Sequence, residues 1–95
     1  MKLRPYTDGF LHYCPGCESM HAIPVRGRVA WTYREDPHGP TFLPSVRHKF
    51  DFHDNTSESC CHYFITDGQI EFQNDCTHAL KGRTVPLPDV PDVGC

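Results

Sequence analysis

Cys14-Pro15-Gly16-Cys17 constrains this chain more than any other stretch. Two thiols separated by two residues on a tight turn can take two corners of a tetrahedral zinc site. The proline stiffens the turn, and the glycine lets backbone N–H groups approach the sulfurs. A second pair of ligands must come from elsewhere in a chain of 95 residues with six cysteines and seven histidines. Thiols and imidazoles gather again at Cys60-Cys61-His62 and at Asp75-Cys76-Thr77-His78, at the two ends of one hairpin. Neighbours on a strand point to opposite faces, so Cys61 and His62 are alternatives rather than joint ligands. Residues two apart on a helix lie roughly 200° apart around it, so Cys76 and His78 compete in the same way. The first choice is a Zn2+ site made by Cys14, Cys17, His62 and His78. Cys61 or Cys76 can replace either histidine, and His21, just past the turn, is a further reserve.

The cysteines carry this weight because of the compartment the chain is expected to occupy. Met1 to Tyr6 carries charge with no apolar run behind it, so it does not read as a secretion signal. No stretch approaches the roughly 20 apolar residues a membrane span needs. A cytoplasmic location follows as the expectation, and in a reducing compartment six cysteines point to metal rather than to disulfides. Cys60 reads as a small buried thiol and Cys95 as an exposed bystander. A thioredoxin-like redox role for Cys14 and Cys17 is disfavoured, because Pro24 breaks any helix that would follow.

Nine prolines and seven glycines favour turns and short strands over helices. Phe10 to Tyr13 reads as a strand entering the Cys14 turn, and Ala22 to Val25 as an edge strand limited by its proline. Arg26 to Arg34 alternates, with Val29, Trp31 and Tyr33 on one face and Arg28, Ala30, Thr32 and Arg34 on the other. A turn-rich loop spans Glu35 to Pro40. Ser45 to Phe52 alternates again, and Asp54 to Ser59 reads as a loop. Asp67-Gly68 between two alternating runs is a strong hairpin signal, placing Tyr63, Ile65, Ile70 and Phe72 on one buried face. Asp75 is placed to cap a short helix from Cys76 to Lys81, stopped by Gly82. The expected fold is mostly β: a small, single-domain, zinc-ribbon-like sheet protein with one short helix near the C-terminus. Residues 1–85 form the zinc-binding β domain and 86–95 an extended tail rich in proline and aspartate.

Other chemistry is thinly represented. HExxH, a Ser-His-Asp series and a glycine-rich phosphate loop are not evident. A zinc hydrolase would need three protein ligands, a water, and a carboxylate such as Glu71 or Asp75 as base. Enough Cys and His residues exist to fill all four positions, which favours the closed structural site over the enzyme. Arg26, Arg28, Arg34, Arg47 and Lys49 fall on the polar faces of two expected strands, and such a stripe can track a nucleic-acid backbone. The net charge of -3 decides nothing here, and the aromatic ladder of single-strand binders is missing.

Several elements taken together look familiar. Cys14-Pro15-Gly16-Cys17 with His21, Trp31, Pro40 to Val46, Cys61 to Ile65, Asp67 to Ile70, Asp75 to Gly82 and Val85 to Pro88 resemble short phage- and prophage-encoded proteins of unknown function. Some of these carry the label "ammonia monooxygenase", which does not suit a chain without membrane spans. The resemblance covers roughly Phe10 to Pro88 and implies zinc binding. This chain departs from the commoner pattern in having Glu18 where glycine often follows the turn. It also has Cys76 where serine is frequent, which weakens Cys76 as a ligand and supports His78. The function expected is a zinc-stabilised binding or assembly module rather than an enzyme, with zinc hydrolase and nucleic-acid binding as alternatives. The resemblance implies a protein partner, a host factor or virion component, and a place in the host cytoplasm or in a virion.

Overall fold

The structure, a computed structural model, describes residues 1–51 and 58–91, with side chains for 1–48 and 60–91. It is built from two antiparallel sheets. The first has three strands in the order β1 (Arg4–Tyr6), β2 (Gly9–Cys14) and β3 (Ser19–Pro24). The second is a meander of β4 (Thr32–Asp36), β5 (Gly39–Asp51), β6 (Glu58–Thr66), β7 (Gln69–Phe72) and β8 (Thr84–Pro86). Among the described residues no helix is long and apolar enough to cross a membrane.

The hairpin at Asp67-Gly68 forms as the alternation requires. Thr66 pairs with Gln69, and both turn residues take positive φ, 51° at Asp67 and 80° at Gly68. Tyr63, Ile65, Ile70 and Phe72 are all buried on one face. Full burial of each such side chain is worth about 1.5–3 kcal/mol. Cys14 and Ile23 from the smaller sheet complete the core, and Phe10 packs edge-on against Phe42 across it. Leu87, in the segment the sequence sets apart as a tail, is also fully buried, and its N–H donates to the Gly68 carbonyl.

Several expected elements differ. The alternation from Arg26 to Arg34 becomes a strand only at Thr32, because Gly27 turns the chain at a φ of 101°. Val29 is consequently exposed, whereas Trp31 is partly buried against the core. The helix from Cys76 to Lys81 is replaced by turns. The N–H of Cys76 reaches Gln73 O, Lys81 reaches His78 O and Arg83 reaches Leu80 O, while Thr77 N–H crosses to the Cys60 carbonyl. The cap is diverted: the Asp75 carboxylate goes to the His62 ring, and the Thr77 N–H it would have accepted goes to the neighbouring strand. The loop expected from Glu35 to Pro40 narrows to Pro37 and His38 between β4 and β5, and Glu58 and Ser59, expected in a loop, belong to β6. Phe52, Asp54 to Ser57 and Cys95 lie outside the described residues.

β5 carries an irregularity that matters for the site. Phe42 pairs with Ile65 and Val46 with Tyr63, so the chain between them is longer on β5 than on β6. This bulge holds Leu43, the cis-linked Pro44 and Ser45. Proline has no N–H to give a ladder, and bulges re-aim side chains.

Candidate active site and metal centre

Strand β6 presents different chemistry on its two faces. Successive side chains point oppositely, so Cys61 and Tyr63 face the core at 0% exposure while His62 faces outward. The separation of Cys61 from His62 expected from alternation holds, but it is Cys61 that meets Cys14. Their sulfurs are 3.7 Å apart.

On the inner face, Cys14, Cys17, His21 and Cys61 bring one ligand atom each within 4.8 Å of one another. The turn between β2 and β3 makes this possible. The Cys17 N–H donates to Cys14 Sγ at 3.3 Å, and Glu18 closes the turn with φ 55° and an N–H bond to the Cys14 carbonyl. A tetrahedral zinc with sulfur at about 2.3 Å and nitrogen at about 2.0 Å has S–S edges of about 3.8 Å and S–N edges of about 3.5 Å. The Cys14–Cys61 separation matches the first. Without a cation the thiols exclude one another's charge. The hydrogen bond from Cys61 holds Cys14 down at about 3, and the same contact drives Cys61 up. Burial, then the Cys14 charge, pushes Cys17 up to about 11. A dication removes that mutual exclusion, and a set of three thiols and an imidazole suits zinc.

His78 and Cys76 flank this cluster. His78 Nε2 lies 3.5 Å from Cys61 Sγ, and its ring covers the spot where a Cβ on Gly16 would sit. The Leu80 N–H donates to His78 Nδ1, which places the His78 proton on Nε2, facing the sulfur as a donor. Cys76 is engaged elsewhere. Its sulfur accepts the His62 N–H at 3.2 Å, and its S–H donates to the His62 carbonyl at 3.1 Å. Burial pushes the Cys76 thiol up, so it keeps its proton. Beyond the cluster, the Tyr63 hydroxyl lies 2.6 Å from His12 Nε2 and 3.2 Å from His48 Nε2. Burial pushes both imidazoles down to about 4.

On the outer face, His62 is not with the thiols. Its Nδ1 lies 3.1 and 3.2 Å from the two Asp75 oxygens, and its Nε2 lies 3.0 Å from Ser45 Oγ. A carboxylate against Nδ1 keeps the proton there and leaves Nε2 free to accept the serine hydroxyl. Ser45 reaches this position from the bulge, and its carbonyl is held by Trp31 Nε1 at 3.0 Å. A Ser-His-Asp series is therefore present, correcting the expectation that the chain lacks one. Ser45 comes from β5, and only the pairing of β5 with β6 brings it to His62; no local spacing encodes that.

The basic residues come from different parts of the fold. Arg26 and Arg28 lie in the segment before β4, with Arg26 on the Thr7 carbonyl. Arg34 pairs with Asp36 at 2.8 Å. Arg47 is exposed on β5 opposite His62, and the side chain of Lys49 lies outside the description.

A serine from the β5 bulge, a histidine from β6 and an aspartate from the turn after β7 stand in hydrogen-bonded sequence, the arrangement of a Ser-His-Asp triad. Residues 3–73 match the family described as Bacterial ubiquitination-like system serine protease (BubE), and the chain belongs to that family. The family's description says nothing of phages or of zinc. No curated protein and no solved structure matches the chain.

Proposed function

We propose that this chain is a serine protease with Ser45 as nucleophile, His62 as general base and Asp75 as the carboxylate that orients it. The observation that carries this reading is the two-sided engagement of His62, with Asp75 on one ring nitrogen and Ser45 on the other. The description of the family supports it independently. In this reaction Ser45 Oγ attacks the peptide carbonyl carbon while His62 Nε2 takes the hydroxyl proton. His62 then gives that proton to the departing amine, and water releases the acyl group from Ser45 by the same route in reverse. Asp75 holds the tautomer throughout and stabilises the imidazolium.

The inner cluster serves as a structural zinc site with Cys14, Cys17, Cys61 and His21 as ligands, and His78 donating to the Cys61 sulfur. A bound zinc supplies a cross-link between the β2–β3 turn and the strand that bears His62. A zinc hydrolase has less support: Asp75 serves an imidazole, and Glu71 is exposed and accepts from Gln73 Nε2. The binding-module reading rests on the same cluster, which the protease reading also uses.

A fluorophosphonate probe tests the proposal without a known substrate. The Ser45 oxygen attacks phosphorus, fluoride leaves, and the proton passes to His62. Wild-type protein should be labelled on Ser45, and Ser45→Ala should not react while keeping its circular dichroism spectrum. Equal labelling of both proteins would sink the assignment.

A further inference from the structure

We propose that Cys76 is a positioning residue for the triad and not a metal ligand, an inference that rests on the protease reading above. Its thiol both accepts the His62 N–H and donates to the His62 carbonyl, at 3.2 and 3.1 Å. One side chain thus grips the backbone of the catalytic base at both polar groups. Cys76 also follows Asp75 directly, so the same grip fixes where the carboxylate stands relative to the imidazole. The surrounding segment is tied to β6 in a consistent register. Gln73 N–H reaches the His62 carbonyl at 2.9 Å, Thr77 N–H reaches the Cys60 carbonyl at 3.0 Å, and Cys60 N–H reaches Thr77 Oγ1 at 3.0 Å. Asp75 reaches His62 through its side chain, which is half exposed. Apart from Cys76, the contacts of the 73–77 segment with residue 62 are the Gln73 N–H on its carbonyl and the Asp75 carboxylate on its ring. Cys76 lies within reach of Cys61 and His78, yet with its sulfur engaged as both donor and acceptor it offers the metal no free thiolate.

The test compares fluorophosphonate labelling rate and zinc content in wild type, Ser45→Ala, Cys76→Ala and Cys76→Ser. Alanine removes both contacts, whereas serine keeps a donor and an acceptor at the same place. Misplacement of a catalytic group by about 1 Å costs on the order of 100-fold in rate. Cys76→Ala should therefore be labelled 10- to 100-fold more slowly (roughly, on that scale) with its zinc unchanged, and Cys76→Ser should recover most of the rate. Wild-type labelling in Cys76→Ala, or zinc loss in both Cys76 variants, overturns the positioning role. If Cys76→Ala does not fold, the low-field proton resonance of the His62 Nδ1–H decides. Its retention in Cys76→Ser supports the clamp, and its loss there overturns it. A wild type that labels no faster than Ser45→Ala brings down the protease reading itself, a result separate from these.

Discussion

Asp75 stands half exposed beside His62, so its contribution is orientation more than a buried charge. Asp75→Asn keeps the shape but can present an amide N–H to Nδ1, which favours the wrong tautomer. In an established triad this change costs roughly 10^4-fold in kcat; here, where the carboxylate is wetter, we expect a loss of at least about 100-fold, read as fluorophosphonate labelling rate with zinc content unchanged. Labelling within threefold of wild type (a bound set by roughly 0.6 kcal/mol at 1.4 kcal/mol per decade) would show that His62 is oriented by something else. Glu18 makes a different point at the same scale. It holds a φ of 55° with a side chain, a conformation that costs an L residue roughly 1–2 kcal/mol more than glycine. Glu18→Gly should relieve this and raise unfolding stability by about 0.5–1 kcal/mol in denaturant titration, offset in part by the entropy of the freer unfolded chain. A loss of stability would mean that the glutamate side chain has a role in the turn beyond occupying it.

At the scale of elements, the β6–β7 hairpin is held at its tip by a second turn. Gly68 N–H donates to the Pro40 carbonyl at 2.9 Å, His38 N–H to Asp67 Oδ1 at 2.9 Å, and Asp67 N–H to Thr41 Oγ1 at 2.8 Å. A Cβ on Gly68 would lie 2.4 Å from the His38 carbonyl oxygen, a backbone atom that cannot swing away. Gly68→Ala should therefore destabilise by about 1–3 kcal/mol, with the positive φ adding to the clash. Thermal melting checks this, and an unchanged midpoint would mean the two turns separate freely. This hairpin was the most legible part of the sequence, since Asp-Gly and two alternating runs specify both turn and buried face. The helix after Asp75 was misread because capping signals are local, while the competing partner, the Cys60 carbonyl on β6, lies far back in the chain. Ser45 was missed for the same physical reason. Alternation puts it on a polar face, but only a non-local strand pairing and a bulge bring it to His62.

For the molecule as a whole, the Cys14, Cys17, His21 and Cys61 cluster joins the smaller sheet to the larger one, with Cys14 at the end of β2 and Cys61 in β6. A domain of this size buries a limited share of its surface, and a structural zinc contributes on the order of 10 kcal/mol in small folds. We expect one zinc per chain by native mass spectrometry. Chelation should lower the melting midpoint by more than about 10 °C, a shift that a loss of only about 2 kcal/mol would produce in a domain this small. Fluorophosphonate labelling should fall with it. Full labelling in a metal-free, folded protein would falsify the coupling between the two faces of β6. The cysteine turn marked one side of this Cys/His cluster in the sequence, whereas the residues that meet it depended on which face each residue of β6 would take. The triad draws on Ser45, His62 and Asp75, three stretches joined only by the finished sheet. A chain leaving the ribosome exposes its serine well before the aspartate is made, and neither is useful until β5 and β6 have paired. On the protease reading, synthesis order delays activation of the nucleophile until the chain has been made as far as residue 75.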